Sequence, residues 1–470
     1  MLFNSLAFAV FLPIVFILFW AMPQKHRWIV LLLSSYYFYM SWNVKYVVLI
    51  LFTTVVSYVT ALLLEKTEQK KARRLLLVAA LVASLGVLFV FKYFNFLSES
   101  LNAVFTRFAI PLHPITLKLM LPVGISFYTF QTLSYVIDVY KGEVKAEKHF
   151  GRYAAFISFF PQLVAGPIER TSNLLPQINK EKFIFSYDNA AYGLKLMAWG
   201  FFKKLVIADN LAVYVDQIFN DVHYYSGFSV LLAVFFFTLQ IYCDFSGYSD
   251  IAIGTARLFD IQLMTNFKSP YFSNSIREFW SRWHISLSTW FRDYVYIPMG
   301  GNRVSKLRNS FNLLVTFLVS GLWHGAAWTF VVWGGVHGML QIIEKRIFGK
   351  KKLPKAVIFV IVAMAWIFFR ANSMSDAAYV FTHLFTGIGN PAAYFAAPMA
   401  DFDWTVKQIC FLVVPILLLA VYDYRALKTD PILELGSLPK AARWCIYYVF
   451  LLLVILLASF NAQEFVYFQF

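Results

Sequence analysis

Charged residues are scarce in this chain. Asp, Glu, Lys and Arg together make up 14% of its 470 residues, whereas hydrophobic residues make up 60% and the mean hydropathy is +0.63. A soluble globular domain usually carries about a quarter charged residues. The shortage therefore excludes a protein that covers itself with polar surface in water, and it predicts a polytopic membrane protein.

Cysteine is also rare, and several chemical motifs are missing. Cys243, Cys410 and Cys445 stand alone in apolar surroundings, so they indicate neither a disulfide framework nor a metal site. The sequence has no Walker-type phosphate loop, no zinc-ligand spacing and no G-x-S-x-G nucleophile elbow. These absences leave metal catalysis, nucleotide hydrolysis and serine-hydrolase chemistry without support.

Acidic residues are outnumbered by basic ones, 25 to 41, which gives a net charge of +16. The basic residues cluster in short runs between apolar segments, at 24–27, 66–74 and 345–355. This distribution is typical of the positive-inside bias of membrane proteins, and no polar segment is long enough to fold into a basic nucleic-acid-binding surface. We therefore expect membrane lipid around the chain and no nucleic-acid partner.

Apolar segments that could cross a bilayer, which takes about 20 residues, recur along the chain. Clear candidates are 5–21, 28–41, 46–64, 75–96, 407–423 and 441–461, and less uniform ones lie near 119–140, 152–168, 190–216, 228–258, 311–343 and 356–371. Because several are short or broken by Pro and Gly, we expect about eleven crossings or deep hairpins. The N-terminal stretch lacks a basic n-region and a cleavage site, which predicts a retained first span. One integral domain over residues 1–470 is predicted, since no repeat or linker interrupts the pattern.

The basic loops orient these segments. With loops 22–27 and 66–74 on the cytoplasmic side, both termini lie outside, the acidic loop 372–403 is external and residues 266–310 form a cytoplasmic interfacial segment. Residues 311–343 then begin and end beside cytoplasmic loops. A segment whose two ends lie on the same side of the membrane has to enter and return, so we predict a hairpin whose deepest point lies near "SGLWHG". A single tilted helix is the alternative.

His324 lies at the centre of "FLVSGLWHGAAWTFVVWGG" (317–335), where a membrane span would place hydrocarbon. An ionisable residue inside a membrane is costly and usually functional, and a neutral imidazole can take a proton from a hydroxyl group. The alternative is a histidine whose nitrogens satisfy backbone groups between helices. His324 is therefore a candidate catalytic residue.

A second polar cluster lies in residues 266–301. Its polar members include Arg277, Arg282, His284, Arg292 and Asp293, which alternate with Trp, Phe and Tyr side chains. The spacing from Arg277 to Asp293 favours an amphipathic helix at the cytoplasmic interface. One interpretation is an aromatic belt with snorkelling arginines. The other is a basic mouth for an anionic substrate, with His284 reaching inward.

Two carboxylates, Asp244 and Asp250, lie in the otherwise apolar stretch "LQIYCDFSGYSDIAIG" (239–254). Carboxylates inside a membrane usually find partners. We therefore expect them to form structural pairs, with an arginine of the following cluster as the partner, rather than to take part in catalysis.

Several blocks carry a family resemblance. They are "GISFYTFQTLSYVIDVY" (124–140), "FISFFPQLVAGPIER" (156–170), "YCDFSGYSDIAIG" (242–254) and "RWHISLSTWFRDYVYIP" (282–298). Together with the apolar stretch around His324, they resemble the membrane-bound O-acyltransferases (MBOAT), and within them the bacterial branch that O-acetylates alginate and other envelope polysaccharides. The resemblance runs from the first residue to the last.

The resemblance implies an all-α funnel of about eleven transmembrane helices, with re-entrant or interfacial helices. It implies that His324 is the catalytic histidine and that His284 is the second polar site, which either catalyses or orients. It also implies an acyl thioester that enters from the cytoplasm. Acetyl-CoA is the expected donor, its phosphates meeting Arg277, Arg282 and Arg292, and no bound cofactor is expected.

The implied function is transfer of an acetyl group across the bacterial cytoplasmic membrane for O-acetylation of an extracytoplasmic polysaccharide. A separate SGNH-type acetyltransferase is the expected partner, because the chain has no such domain. One alternative is D-alanyl transfer from a carrier protein to teichoic acid. An alternative of another class is a transporter or channel with a polar cavity at His324.

The C-terminal sequence "FVYFQF" (465–470) matches the F-x-Y-x-x-F pattern found at the end of related acyltransferases. The resemblance implies that Tyr467, on the external side, carries the acyl group onward as an ester. The alternative is an aromatic terminus of the kind that membrane proteins often place at the interface.

Overall fold

The computed structural model describes residues 1–110, 113–164, 166–349, 351–459 and 465–466. Over these residues the chain is all-α, with 76% helix and no strand. Its α-helices are α1 (Leu6–Ala21), α2 (Arg27–Met40), α3 (Val47–Lys66), α4 (Lys70–Leu88), α5 (Phe94–Arg107), α6 (Ile125–Lys141), α7 (Phe150–Ser158), α8 (Phe160–Leu163), α9 (Thr171–Ile178), α10 (Tyr187–Phe201), α11 (Asp209–Asn220), α12 (Phe228–Leu258), α13 (Ile276–Arg282), α14 (Ile285–Phe291), α15 (Lys306–His324), α16 (Trp328–Ile343), α17 (Lys355–Arg370), α18 (Met374–His383), α19 (Pro391–Asp401), α20 (Val406–Ala426), α21 (Pro431–Ser437) and α22 (Lys440–Leu457).

Wider π-helical turns continue several of these helices. They are Phe89–Tyr93, Phe202–Ala208, Arg292–Tyr296 and Glu344–Phe348 in the part of the chain that the structure describes. Short 3-10 turns occur at Gln24–His26, Val44–Tyr46, Val222–Tyr224 and Pro270–Phe272. Because π-helical turns are rare and often lie at functional sites, those next to the predicted site residues are of particular interest.

Five helical segments are long and apolar enough to cross a membrane. Among the described residues they are Val44–Lys66, Lys70–Arg107, Phe228–Leu258, Val406–Ala426 and Lys440–Leu457, with Leu6–Ala21 as a shorter apolar helix. They coincide with the predicted spans at 46–64, 75–96, 228–258, 407–423, 441–461 and 5–21. The outward faces of α20 and α22 expose Leu and Val side chains, as expected of helices that face lipid.

The described residues fall into two compact units. Unit 1 comprises Met1–Leu194 and Ile251–Met264, and unit 2 comprises Lys195–Asp250 and Thr265–Phe470. Helices α10 and α12 contribute residues to both units. In unit 1, α3 packs against α4, α6 and α7. A single integral domain over the whole chain stays a prediction.

Unit 1 contains a segment that breaks where one span was predicted near 152–168. Helix α7 ends at Ser158, Phe159 leaves the helical conformation, and Pro161 lies in the first turn of α8. Proline lacks the backbone N–H that would continue the earlier helix and is tolerated in a first turn. The segment is therefore a pair of short helices instead of a simple span.

In unit 2, α15 and α16 form an antiparallel hairpin that turns at residues 325–327. Gly321 and Gly334 face each other where the two helices cross, and a Cβ atom added to either would collide with backbone of the partner helix. Small residues at a crossing let helix backbones approach closely inside membranes. The close approach fixes the end of α15, which is His324.

Candidate active site

His324 is the last residue of α15, at the closed end of the hairpin, and only 2% of it is exposed. Its ring centroid lies 5.0 Å from those of Trp323 and Trp333 and 5.5 Å from that of Phe369. Gly325 follows in an extended conformation and ends the helix there. The predicted catalytic imidazole is thus held in an aromatic wall deep inside unit 2.

His284 lies between α13 and α14, and it is fully buried. The prediction of one amphipathic helix from Arg277 to Asp293 is wrong at this point. His284 adopts a left-handed backbone conformation, with φ 43° and ψ 54°, which is unfavourable for a residue with a Cβ atom and clusters at functional sites. The break turns the imidazole inward, where its ring centroid lies 6.4 Å from that of His324.

The hydrogen bonds of His284 come from a residue that the sequence did not single out. Nδ1 of His284 lies 3.1 Å from Oδ1 of Asn266, and Ser286 donates to the same oxygen. Nε2 of His284 has no hydrogen-bond partner among the described residues. Asn266 stands in an irregular loop before α13, so no helical periodicity could have marked it; an amide in "LMTNFKSP", beside an aromatic cluster, was its sole signal.

A third buried histidine, His337, lies on α16 in the same aromatic core. Trp280 donates its indole N–H to Nδ1 of His337 at 3.3 Å, and the ring centroids of Trp333 and His337 are 5.0 Å apart. This contact is typical of a histidine that holds neighbouring helices together. The hydrogen bond from Trp280 ties α13 to α16 through His337.

A cavity of about 800 Å³ opens beside this core within unit 2. Its lining includes Arg277, Trp280, Ser288, Arg292, Tyr296, Thr316, Phe317, Ser320, Glu344 and Lys345. Thr316, Phe317 and Ser320 lie on α15, so the cavity follows that helix to within one turn of His324. Its charged rim consists of Arg277 on α13 and of Arg292, Glu344 and Lys345 on two π-helical turns, Arg292–Tyr296 and Glu344–Phe348.

The rim of the cavity is basic. Arg277, Arg292 and Lys345 line it, while Arg282 does not and instead forms an ion pair with Glu278 at 2.7 Å. Partial burial, together with the positive charges of Arg346 and Arg277, lowers the pKa of Lys345. A nearby anion favours the charged form of such groups. Glu344 also lines the cavity, and Arg292 lies 2.7 Å from Asp293.

The predicted carboxylates Asp244 and Asp250 do find partners, but these are lysines, and the expected arginine pairing is wrong. Lys204 lies 2.8 Å from Asp244 and 2.7 Å from Asp209, and Lys203 lies 2.7 Å from Asp250. The π-helical turn Phe202–Ala208 presents the two successive lysines to α12. A pairing that depends on a helix far away in the sequence could not be deduced from the spacing around 244–250.

The C-terminal residues that the structure describes lie inside unit 2. The backbone N–H of Val466 donates to Oδ2 of Asp244 at 2.7 Å. The ring centroid of Phe465 lies 5.6 Å from that of Phe245, which is in turn 4.5 Å from the ring of His284. The predicted relay residue, Tyr467, lies outside the described residues.

The chain is similar to known proteins in the part that contains the candidate site. The profile of MBOAT, the membrane-bound O-acyltransferase family, matches residues 146–375, which include both histidines and the cavity. The chain is 38% identical over 449 residues to the probable alginate O-acetylase AlgI of Azotobacter vinelandii, covering 94% of this chain and 88% of that relative. It is 36% identical over 422 residues to the peptidoglycan O-acetyltransferase of Helicobacter pylori, covering 81% and 79%. The teichoic acid D-alanyltransferase of Bacillus subtilis is 29% identical over 270 residues, covering 56% and 66%.

Proposed function

Because the chain belongs to the membrane-bound O-acyltransferase family, we propose that it moves an acetyl group from a cytoplasmic thioester through the membrane, for O-acetylation of an extracytoplasmic polysaccharide. The chain is a membrane O-acetyltransferase. The observation that carries the proposal is the juxtaposition of His284 and His324 in a buried aromatic core beside a basic cavity.

Acetyl transfer needs a group that takes a proton from the accepting hydroxyl. A neutral imidazole next to that hydroxyl does so as the oxygen attacks the thioester carbonyl carbon. The carbon–oxygen bond forms, the carbon–sulfur bond breaks, and the proton ends on the released thiol. His324 and His284 are the candidates for this work, and the apolar walls around them exclude water that would hydrolyse the thioester.

We assign the donor to the cavity that follows α15. Acetyl-CoA carries a thioester at the end of a long arm and several phosphates at the other end. Arg277 and Arg292 at the rim would bind the phosphates, while Thr316 and Ser320 line the way toward His324. Arg282 and Arg292 each form an ion pair, with Glu278 and with Asp293, but only Arg292 lines the cavity, so Arg282 is left out of the proposed donor site.

The finer features of the family are part of the same proposal. They are a funnel of about eleven transmembrane helices with re-entrant ones, residence in the bacterial cytoplasmic membrane, and both termini outside. Tyr467 would receive the acetyl group as an ester, and a separate SGNH-type transferase would place it on the sugar. The described neighbours of Tyr467, Phe465 and Val466, pack in the core that holds His284.

Two relatives that act by O-acetylation, on alginate and on peptidoglycan according to their names, cover four fifths or more of this chain. The D-alanyltransferase covers little more than half of it. Acetyl transfer is therefore preferred over D-alanyl transfer.

A complementation experiment tests the proposal. The gene is deleted from its host, and the strain is complemented with wild type, His324→Gln or Tyr467→Phe at matched levels of membrane protein. His337→Gln is the control for loss of a buried histidine. The O-acetyl ester content of extracellular and wall polysaccharide is then measured. We expect ester with wild type and with His337→Gln but not with the other two. Ester restored by His324→Gln would contradict the proposed catalysis. Ester restored by Tyr467→Phe but not by His324→Gln would contradict only the proposed role of Tyr467 as an acyl carrier.

A further inference from the structure

The side chain of Asn266 bridges α12 and the turn before α14. Only 1% of the residue is exposed. Its Oδ1 accepts from the backbone N–H of Ser286 at 3.3 Å and from the Ser286 hydroxyl at 2.9 Å, and its Nδ2 donates to Ser249 at 3.1 Å. Its backbone carbonyl accepts from Ile285 at 2.9 Å. Asn266 therefore holds the first turn of α14, and with it the strained conformation of His284.

These partners decide which atom of the amide faces His284. A backbone N–H can only donate, so the amide atom opposite Ser286 N must be the oxygen. The same oxygen lies 3.1 Å from Nδ1 of His284. An oxygen acceptor requires Nδ1 to carry the proton, and a neutral imidazole protonated at Nδ1 has its lone pair on Nε2.

Nε2 is the atom that this arrangement leaves for chemistry. It is buried and has no hydrogen-bond partner in the described part of the chain, although buried polar atoms are usually paired. A lone pair kept in an apolar core, 6.4 Å from a second imidazole by ring centroids, is poised to accept a proton or a hydroxyl hydrogen bond from a bound reactant.

We propose that Asn266 is a positioning residue, which fixes His284 in the tautomer whose Nε2 accepts the proton of the attacking hydroxyl. The inference rests on the proposed function of the site and deepens it, since it gives His284 an acceptor role during acyl transfer. Asn266 itself touches no reacting atom. A residue that only capped α14 would be needed for folding and would leave the tautomer of His284 without consequence.

The test separates tautomer from fold. The full-length protein is labelled with ¹⁵N-histidine, placed in lipid nanodiscs and examined by solid-state NMR, with His284→Gln identifying the resonances of His284. Nε2 couples to two ring protons and Nδ1 strongly to one, so the unprotonated nitrogen can be assigned. We expect it to be Nε2 in wild type. Finding Nε2 protonated in wild type overturns the inference.

Variants connect the tautomer to transfer. Asn266→Asp keeps an acceptor for Nδ1–H, whereas Asn266→Leu removes it at similar size. We expect Asn266→Leu to lose the single tautomer and to lower polysaccharide ester at least about tenfold, the lower bound of the loss seen when the partner of a metal-binding imidazole is removed, while Asn266→Asp retains most of it. Ser249→Ala, which removes only the partner of Nδ2, controls for the local packing and should remain active.

Two outcomes distinguish this inference from the proposed function. If Asn266→Leu gives the wild-type level of ester although His284→Gln gives none, the positioning role of Asn266 is contradicted, while the proposed function of the site is retained. If His284→Gln and His324→Gln both give wild-type ester, the proposed function of the site fails, and the acceptor role of His284 fails with it whatever the spectrum shows. Equal loss of ester and of thermal stability in Asn266→Asp and Asn266→Leu would identify a capping role and also overturn the inference.

Discussion

Lys204 places a positive charge between two carboxylates inside unit 2. Its side chain is 2% exposed, and those of Asp209 and Asp244 are equally buried. Moving one charge out of water costs several kcal/mol, which a partner repays only while both remain. The three side chains are thus a unit whose members depend on one another more than on their surroundings.

Replacing Lys204 with Met should therefore destabilise the protein strongly. The change leaves two buried carboxylates without a counter-charge, and breaking a buried pair in this way costs about 3–5 kcal/mol. Lys203→Met is the matched control, because its partner Asp250 is 21% exposed and therefore less fully desolvated than Asp209 and Asp244. Thermal unfolding in detergent, followed by tryptophan fluorescence, should show a clearly larger drop in Tm for Lys204→Met. Equal drops would show that the ion cluster adds nothing to stability.

Asp244 also anchors the C-terminal segment through the backbone N–H of Val466. Asp244→Leu removes this acceptor, so we expect faster hydrogen–deuterium exchange in the peptide that contains Phe465 and Val466. Asp209→Asn is the control, since it alters the same lysine's partners without touching Val466. Unchanged exchange in Asp244→Leu, or the same increase in both variants, would mean that the hydrogen bond does not hold the segment.

The helix hairpin α15–α16 determines where His324 lies. Gly334 on α16 approaches Phe317 and Gly321 on α15 so closely that a methyl group would meet the Phe317 carbonyl oxygen. Helix backbone cannot yield as the end of a side chain can. The position of the imidazole at the end of α15 is thus coupled to a contact at Phe317 and Gly321, seven and three residues before it.

Gly334→Ala should separate the two helices and misplace His324. Overpacking of this kind typically costs about 1–3 kcal/mol, and we expect polysaccharide ester to fall along with Tm. Gly335→Ala is the neighbouring control, because its added Cβ would meet only the flexible end of Leu318 at 3.4 Å. Similar behaviour of the two variants would argue against the crossing as the support of the site.

The contrast between this hairpin and the turn at His284 shows what sequence can reveal about the elements. Long apolar runs can be recognised in a sequence, because a membrane span needs a continuous hydrophobic stretch. The bounds of α3, α12, α20 and α22 were predicted within a few residues. The break before α14 was not, because the side chain that contacts His284 there is Asn266, 18 residues earlier in the chain. The spacing of residues within one helix cannot predict a hydrogen bond to a residue so far away in the sequence.

The same distinction applies to the candidate site. His284 and His324 could be found because imidazoles are rare in apolar sequence and because their surroundings resemble a family. The lysine partners of Asp244 and Asp250 could not, since they lie on a π-helical turn of a different helix. Sequence thus identified the two candidate catalytic groups and missed the side chains that contact them and the buried carboxylates.

In the proposed reaction a water-soluble thioester from the cytoplasm has to reach the buried imidazoles of His284 and His324. The basic rim formed by Arg277, Arg292 and Lys345 attracts anions over a distance of about one Debye length, roughly 8 Å at physiological salt. The aromatic and hydroxyl side chains that also line the cavity would contact the neutral arm of the proposed donor. Charge at the rim and apolar walls within would let phosphates stay in water while the thioester advances.

Arg277→Ala should therefore weaken binding of acetyl-CoA without affecting the protein's stability. Loss of a hydrogen bond to a charged group costs about 1.5–3 kcal/mol, which corresponds to a rise in Kd of about tenfold or more. The measurement is equilibrium binding of radiolabelled acetyl-CoA to the full-length protein in nanodiscs, at low and high salt. Wild-type affinity should fall more steeply with salt than that of the variant.

Arg282→Ala provides the control for this experiment, because Arg282 lies in the same basic segment but pairs with Glu278 and does not line the cavity. It should keep wild-type affinity. If both substitutions weaken binding alike, a diffuse positive surface rather than the cavity captures the donor. If wild type binds no acetyl-CoA while polysaccharide ester still depends on His324, the donor is a carrier-bound thioester, and the rim meets the acidic surface of its carrier protein instead of the phosphates of coenzyme A.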